Sequence, residues 1–428
     1  MTTDPTFLGI DIGTSGVRAV VMKEDGTVVA GADERLPPAR RDGASVTQMP
    51  GIWWQATDSV LRRLSAAGAL ASVRALAVDG TSGTVLVADA EGRPLGPARL
   101  YNDAACVEEA GRIASAAPAG SAALGSGSAL ARLLRLQDTP GAAFALHQAD
   151  WIAGMLTGRF GMSDENNALK TGYDPVARVW PSWLDDLQVR RELLPEVVEP
   201  GTMIGRMRPD LAASLGFPAD ASVMAGTTDG CAAFLATGAD RVGDGVTSLG
   251  STLVVKLLCS RPIFAPDYGI YSHRLGDLWL AGGASNTGGA VLREFFDDKE
   301  MAALETHIDP DHPTGLDYYP LASPGERFPV NDRNFAPRLT PRPADDAIFF
   351  QGLLEGMAAI ERQGYARLAE LGGPELATMR SVGRGAANAP WTAIRRRVLG
   401  VPFIEAASQD AACGTARLAL TGWRRAGG

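Results

Sequence analysis

Residues 7–22, FLGIDIGTSGVRAVVM, constrain this chain more than any other stretch, because they dictate how its first sheet begins. Phe7 to Ile12 reads as a strand, Gly13-Thr14-Ser15-Gly16 as a tight turn, and Val17 to Met22 as the returning strand. A second turn, Glu24-Asp25-Gly26, leads into Thr27-Val28-Val29-Ala30, so three antiparallel strands form a meander. The first turn presents consecutive backbone N–H groups and two hydroxyls, the chemistry of a phosphate cradle. It lacks the G-x-x-x-x-G-K-[ST] spacing and is not a Walker loop. A plain hairpin could carry the same four residues. Asp11 tilts the balance: an acid inside an apolar strand is costly to bury unless it meets a cation or hydrogen-bond donors.

The same layout returns twice. Residues 73–95 give an apolar strand ending at Asp79, a small polar turn from Gly80 to Gly83, and a returning strand from Thr84 to Ala88. Residues 246–258, VTSLGSTLVVKLL, give strand, Gly-Ser-Thr turn and strand, which suggests two domains on one plan. Only the pattern recurs, so the repeat is weak. Ala239 to Asp244 reads as the boundary, placing an N-terminal domain at 1–238 and a C-terminal one at 239–428.

A different arrangement occupies 223–235, VMAGTTDGCAAFL. A short apolar approach runs into Gly226-Thr227-Thr228-Asp229-Gly230 and then into a helix. Glycines at a strand-to-helix turn let a ligand come close, which sets Asp229 at the rim of a cleft. On this stretch alone an aspartate that merely caps the helix is the favoured reading, and the rest of the chain must decide. The clearest helix covers 346–371, with Phe349, Phe350, Leu353, Leu354, Met357, Ile360, Leu368 and Leu371 at three- and four-residue steps. Gly352 and Gly356 lie on one side of it and admit a close backbone. Ser381 to Asn388, SVGRGAAN, follows a strand and precedes a helix, an order that commonly holds a nucleotide but has low specificity alone.

Composition narrows the classes. At 428 residues the chain has room for two full cores. A net charge of −9 argues against nucleic acid, which wants a basic face. No apolar run approaches the ~18 residues of a membrane span. The N-terminus has no basic region followed by an apolar stretch, so a cytoplasmic protein is expected. Four cysteines and four histidines are scattered, so any metal is expected on oxygen ligands. No strand-G-x-G-x-x-G-helix unit opens the chain, which disfavours a dehydrogenase.

Gly/Ser/Thr turns, acids beside them and a late glycine turn fit phosphoryl transfer, which needs donors around phosphates, a carboxylate for magnesium and a base for the attacking hydroxyl. The order of GIDIGTSGVRAV, TQMPGIWW, LYND, LTGRFGMSDENNALKTGYD, AGTTDGCAAFLATGA, SLGST, LLEGMA and GRGAANAPW resembles the FGGY carbohydrate kinases over nearly the whole chain. The resemblance implies an α/β fold of two ribonuclease H-like domains, of the actin/hexokinase ATPase type, with a catalytic cleft between them. It implies ATP and Mg2+ as cofactors and a small-molecule sugar as substrate, with no nucleic acid or membrane partner; a homodimer stays open. Asp229 would take the proton from the sugar's terminal hydroxyl. Asp11 would orient the magnesium ion, with Gly13, Thr14 and Ser15 near the transferred phosphate. Gly250, Ser251 and Thr252 would meet the nucleotide phosphates, and Gly383, Gly385, Ala386 and Asn388 the adenosine.

Within the family, GTSGTVLV and PLASPGERFPVNDRNFAPRL are most similar to the ribulose/xylulose kinases of cyanobacterial and plant type. That likeness implies a ketopentose, D-ribulose before D-xylulose, contacted by Asp11, Ser82, Asp103 and Asp229. Arg132 and Arg135 stand where relatives often carry Lys and Trp, and 104–128 is abbreviated, both on the sugar side. A glycerol or polyol kinase is the neighbouring alternative. A nucleotide-switched binding protein of the same fold is the alternative from another class.

Overall fold

Strand β1 (Thr6–Ile12) alternates two kinds of side chain, and the alternation sets what covers each face of the first sheet. Leu8, Ile10 and Ile12 face one core, whereas Phe7, Gly9 and Asp11 face the opposite way. β1 pairs antiparallel with β2 (Gly16–Lys23), and β2 with β3 (Val28–Arg35), which is the expected meander. On its other side β1 runs parallel to β4 (Val73–Gly80), with Asp11 opposite Asp79. Antiparallel strands β5 (Met203–Arg206) and β6 (Ser222–Met224) complete the edge, giving the order β5-β6-β4-β1-β2-β3. The two-residue β7 (Thr227–Thr228) also runs parallel to β4, with Thr227 opposite Asp79. This computed structural model describes Asp4–Gly428.

The large-residue face of the sheet packs on α1 (Gly51–Ala66), through Trp53, Val60, Leu61 and Leu64, and on α2 (Gln148–Thr157), through Trp151, Ile152 and Leu156. The opposite face is lined by small residues, Gly9, Ala75 and Ala77, and the closing helix Ala411–Arg425 lies against it. Packing there is tight enough that a Cβ on Gly9 would sit 1.9 Å from the Ala412 carbonyl oxygen.

The chain divides into two compact units. One holds the chain up to Ala236 with His273–Gly276 and Asp410–Gly428; the other holds Thr237–Ser272 and Asp277–Gln409. A second domain running to 428 therefore needs correction. The closing helix returns to the first unit because that unit's sheet has the small-residue face on which it packs. The expected return of Thr84–Ala88 onto Val73–Gly80 is corrected as well. Val85–Ala88 joins a separate small sheet, pairing with Phe144–His147 and Ala98–Arg99. The turn is pulled that way: Gln148 Oε1 accepts from the Thr81 N–H at 3.0 Å, and the buried Arg132 donates to the Gly83 carbonyl at 2.6 Å.

In the second unit β8 (Asp244–Leu249), β9 (Leu253–Cys259) and β10 (Leu278–Ser285) form an antiparallel meander, and β11 (Thr378–Val382) runs parallel to β8. This repeats the plan of β1 to β4, as the weak pattern at 246–258 suggested. The core is filled by the long helix Asp346–Glu370, whose Phe349, Phe350, Leu353, Leu354 and Met357 are all buried. Gly356 lets the Tyr318 backbone approach, since a Cβ there would lie 2.8 Å from the Tyr318 carbonyl oxygen.

Candidate active site

Three carboxylates meet where β1, β4 and β7 end in the first unit. The parallel register sets Asp11 beside Asp79, and Thr227 beside Asp79, two residues before Asp229 opens the helix α4 (Asp229–Ala236). Asp79 is fully buried, and its Oδ2 accepts from the Thr415 hydroxyl of the closing helix. Burial first, and the charge of Asp11 next, push the Asp79 carboxyl well above the usual carboxylate range. Asp79 Oδ1 is buried without a hydrogen-bond partner among the described residues. Asp11 itself is pushed up to about 6, by burial and then by Asp229 and Asp410, against its side-chain contact with Asp79 and the charge of Arg18. Asp79 was legible as an acid before a small polar turn, but its pairing was not.

Asp229 is partly exposed, and its Oδ1 accepts from the Gly230 N–H at 2.7 Å. Its charge acts on both Asp11 and Asp79. Gly226 admits β4 at close range, because a Cβ there would lie 1.7 Å from the Val78 carbonyl oxygen. A buried polar segment, Asp164 to Asn167, fixes the approach to Asp229 from the side. Asp164 caps the short helix α3 (Glu165–Ala168) by accepting from the Asn166 and Asn167 N–H groups. Asn166 Nδ2 donates to Thr227 Oγ1 at 3.0 Å and to the Arg274 carbonyl at 2.9 Å, while its Oδ1 accepts the Arg274 N–H. The same side chain thus ties down the His273–Gly276 segment and the strand leading to Asp229. Next to the carboxylates, the turn 13–16 is closed by the Gly13 N–H to the Gly16 carbonyl at 2.9 Å and leaves Thr14 half-buried and Ser15 exposed.

The remaining residues expected on the sugar side form a second group. Arg132 is fully buried and donates to the carbonyls of Gly83, Tyr101 and Asp103, which brings the Ser82 turn and the 100–103 turn together. Burial lowers its guanidinium to about 10. Arg132 is a structural brace, and Arg135 pairs with Glu109 on the adjoining helix. Asp103 is also fully buried, with its carboxylate accepting from the Ser45 hydroxyl, the Val46 and Ala105 N–H groups and Arg99. Its side chain shapes the turn. Ser82 Oγ and Asn102 Oδ1, in contrast, are buried without a hydrogen-bond partner among the described residues.

The second unit contains a cavity of about 550 Å³. Its walls include Gly250 and Ser251 from the β8–β9 turn, and Gly385 and Asn388 from the turn after β11. Thr252, Gly383 and Ala386 do not line it but belong to the same turns. Gly383 has φ +87° and packs on Leu249, where a Cβ would meet the carbonyl oxygen at 2.9 Å, so only glycine lets the two turns converge. Asn388 Oδ1 accepts the Trp391 N–H at 2.7 Å, starting the helix Ala389–Leu399 at the cavity wall. Leu354, Phe350 and Trp391 supply a flat apolar side. Among the described residues no helix is long and apolar enough to cross a membrane, and all four cysteines are buried thiols.

Comparison with known proteins matches residues 6–125 to the N-terminal domain of the FGGY family of carbohydrate kinases and residues 245–423 to its C-terminal domain. The chain is 30% identical to the xylulose kinase of Escherichia coli strain K12 over 286 residues, 64% of this chain and 59% of that protein. The match thus spans less than two thirds of that relative's length. It is 27% identical to the autoinducer-2 kinase of Yersinia enterocolitica over 444 residues, 94% of this chain and 83% of that protein. A crystal structure described as a xyloylose kinase from Brucella ovis superposes with a TM-score of 0.87 at 25% identity, covering 98% of this chain and 91% of the other. Xylulose kinase from Rhodospirillum rubrum, at 21% identity and a TM-score of 0.84, has the same two-domain actin/hexokinase-like fold. The chain belongs to the FGGY family of carbohydrate kinases.

Proposed function

We propose that this protein transfers the γ-phosphate of ATP to the terminal hydroxyl of a ketopentose, with the sugar on the first unit and the nucleotide on the second. The carboxylate cluster of Asp11, Asp79 and Asp229 beside a Gly-Thr-Ser-Gly turn carries this reading. Phosphoryl transfer asks for a group that accepts the hydroxyl proton while phosphate charge is neutralised. Asp229 is the base: its carboxylate takes the proton of the attacking hydroxyl, and the sugar oxygen bonds to the γ-phosphorus as ADP leaves.

Asp11 suits Mg2+, which takes one or two carboxylates together with substrate phosphates. When bound, the ion supplies charge neutralisation at the phosphates. Asp79 stands beside Asp11 in the parallel register and is anchored to the closing helix through Thr415. Thr14 and Ser15 offer hydroxyls to the transferred phosphate. Gly250, Ser251 and Thr252 hold the nucleotide phosphates, and Gly383, Gly385, Ala386 and Asn388 frame the adenosine. Ser82 Oγ and Asn102 Oδ1 have unspent hydrogen-bonding capacity for sugar hydroxyls, whereas Asp103 acts through the turn it shapes.

D-ribulose and D-xylulose are the substrates to compare, the first from the likeness of the turn sequences and the second from the names of the xylulose kinases. A coupled ADP-release assay with Mg2+ and ATP, run over both ketopentoses, L-ribulose, glycerol, autoinducer-2 and common hexoses, tests the proposal. One ketopentose standing well above the rest is the expected result. ADP release indifferent to every sugar would overturn it in favour of a nucleotide-switched binding protein.

A further inference from the structure

Arg384 is the charged residue of the GRGAAN turn, and the roles above leave it unused. It lines the cavity of the second unit, and Arg293 is the other cationic residue among those lining it. The two come from different walls. Arg293 ends the short helix Gly289–Arg293, whose first residue hydrogen-bonds to the Gly250 carbonyl at 2.9 Å. Arg384 follows Gly383, which packs on Leu249 just before the same Gly250 turn. Both guanidiniums reach one carboxylate: Arg293 Nε lies 3.6 Å from Asp298 Oδ1, and Arg384 Nη2 lies 3.5 Å from Asp298 Oδ2.

These contacts are long and wet, with side-chain exposures of 45% for Arg293, 81% for Arg384 and 60% for Asp298. Exposed pairs of this kind contribute about 0–1 kcal/mol. A phosphate group offers the same guanidiniums more charge and a bidentate geometry, and such contacts are roughly twice as strong as neutral hydrogen bonds. Phe350, Leu354 and Trp391 form an apolar side that suits a base, whereas Ser251 and the two arginines are polar groups suited to phosphates, and Glu305 is a second acid in the lining. We propose that Arg293 and Arg384 bind the phosphates of the nucleotide donor, and that Asp298 competes with those phosphates for the two guanidiniums. The inference rests on the nucleotide reading of this cavity and adds to it the residues that sense phosphate charge.

Titration calorimetry on the full chain, with adenosine and with ADP, separates the parts. Arg384→Ala and Arg293→Ala are each expected to weaken ADP roughly tenfold, as losing a hydrogen bond to a charged group does, while leaving adenosine unchanged. Asp298→Ala is expected to act in the opposite direction and tighten ADP, because it removes the competitor and a like charge. All three positions are exposed enough that folding should survive. ADP affinity unchanged in both arginine variants, an equal loss for adenosine and ADP, or weaker ADP binding in Asp298→Ala would each overturn the inference while leaving the nucleotide site standing. A wild-type chain that binds neither ligand would remove the nucleotide reading itself, and this inference with it.

Discussion

At the scale of single residues, the site is governed by how three carboxylates share one small volume. Like charges this close cannot all ionise freely, and burial adds to the cost. Asp79, the most buried of the three, is pushed well above the usual carboxylate range, and Asp229 stays at the partly exposed edge. Asp229→Asn is expected to bind ADP normally but to lose at least ~100-fold in kcat, the usual contribution of a general base. Near-normal turnover in a sugar-dependent assay would contradict the role. Asp11 adds a pH signature. Its carboxyl moves from an ordinary 3.8 to about 6 on folding, so between those values the folded chain holds a proton that the unfolded chain has released. Folding stability contributed by this residue therefore falls as pH rises through that window, and the deficit remains above it. Urea denaturation between pH 4 and pH 7 should show a shallower decline in Asp11→Asn than in the wild type. Parallel curves would show that Asp11 is not perturbed.

At the scale of elements, buried polar contacts decide which helices sit where. In the second unit Glu361 of the long helix pairs with Arg395 of the helix Ala389–Leu399, both fully buried, at 2.6 Å. Thr247 and Ser381 add hydrogen bonds to the pair from β8 and β11. The network ties the long helix, the sheet and the helix beginning at Asn388 into one body beneath the cavity. Removing one partner leaves an uncompensated charge in the core, so Arg395→Met is expected to cost roughly 3–5 kcal/mol. Equilibrium denaturation measures this, and a loss below about 1 kcal/mol would place the pair among ordinary surface contacts. In the first unit the closing helix has a comparable part, because Thr415 reaches Asp79 across the sheet face that Gly9 and the alanines keep shallow.

At the scale of the whole molecule, two units on one strand plan have diverged in what their turns carry. The first sets acids at the strand ends, and the second opens a cavity between glycine turns and an apolar wall. If transfer needs both, ATP should be consumed only slowly without sugar, since water would otherwise take the place of the hydroxyl. Equal rates of ADP release with and without a ketopentose would contradict that dependence.

Much of this was legible in the chain itself. The meander of β1 to β3, the strand-turn-helix around Asp229, the long helix and the glycine turn at Gly383 each depend on neighbours within a few residues, where alternation, turn residues and helical spacing act directly. Asp11 and Asp229 stood out for the same reason. Tertiary structure decided what rests on long-range pairing. Parallel register joined Asp79 to Asp11, the shallow face drew the closing helix back to the first unit, and buried donors turned Asp103 and Arg132 into scaffolding. The turn at Gly80 to Gly83 looked like a second hairpin because its local residues allow one, yet Gln148 and Arg132 pull the chain into another sheet. A polar side chain's role depends on which donors or acceptors fill its surroundings once it is out of water, and those partners lie far away in the sequence.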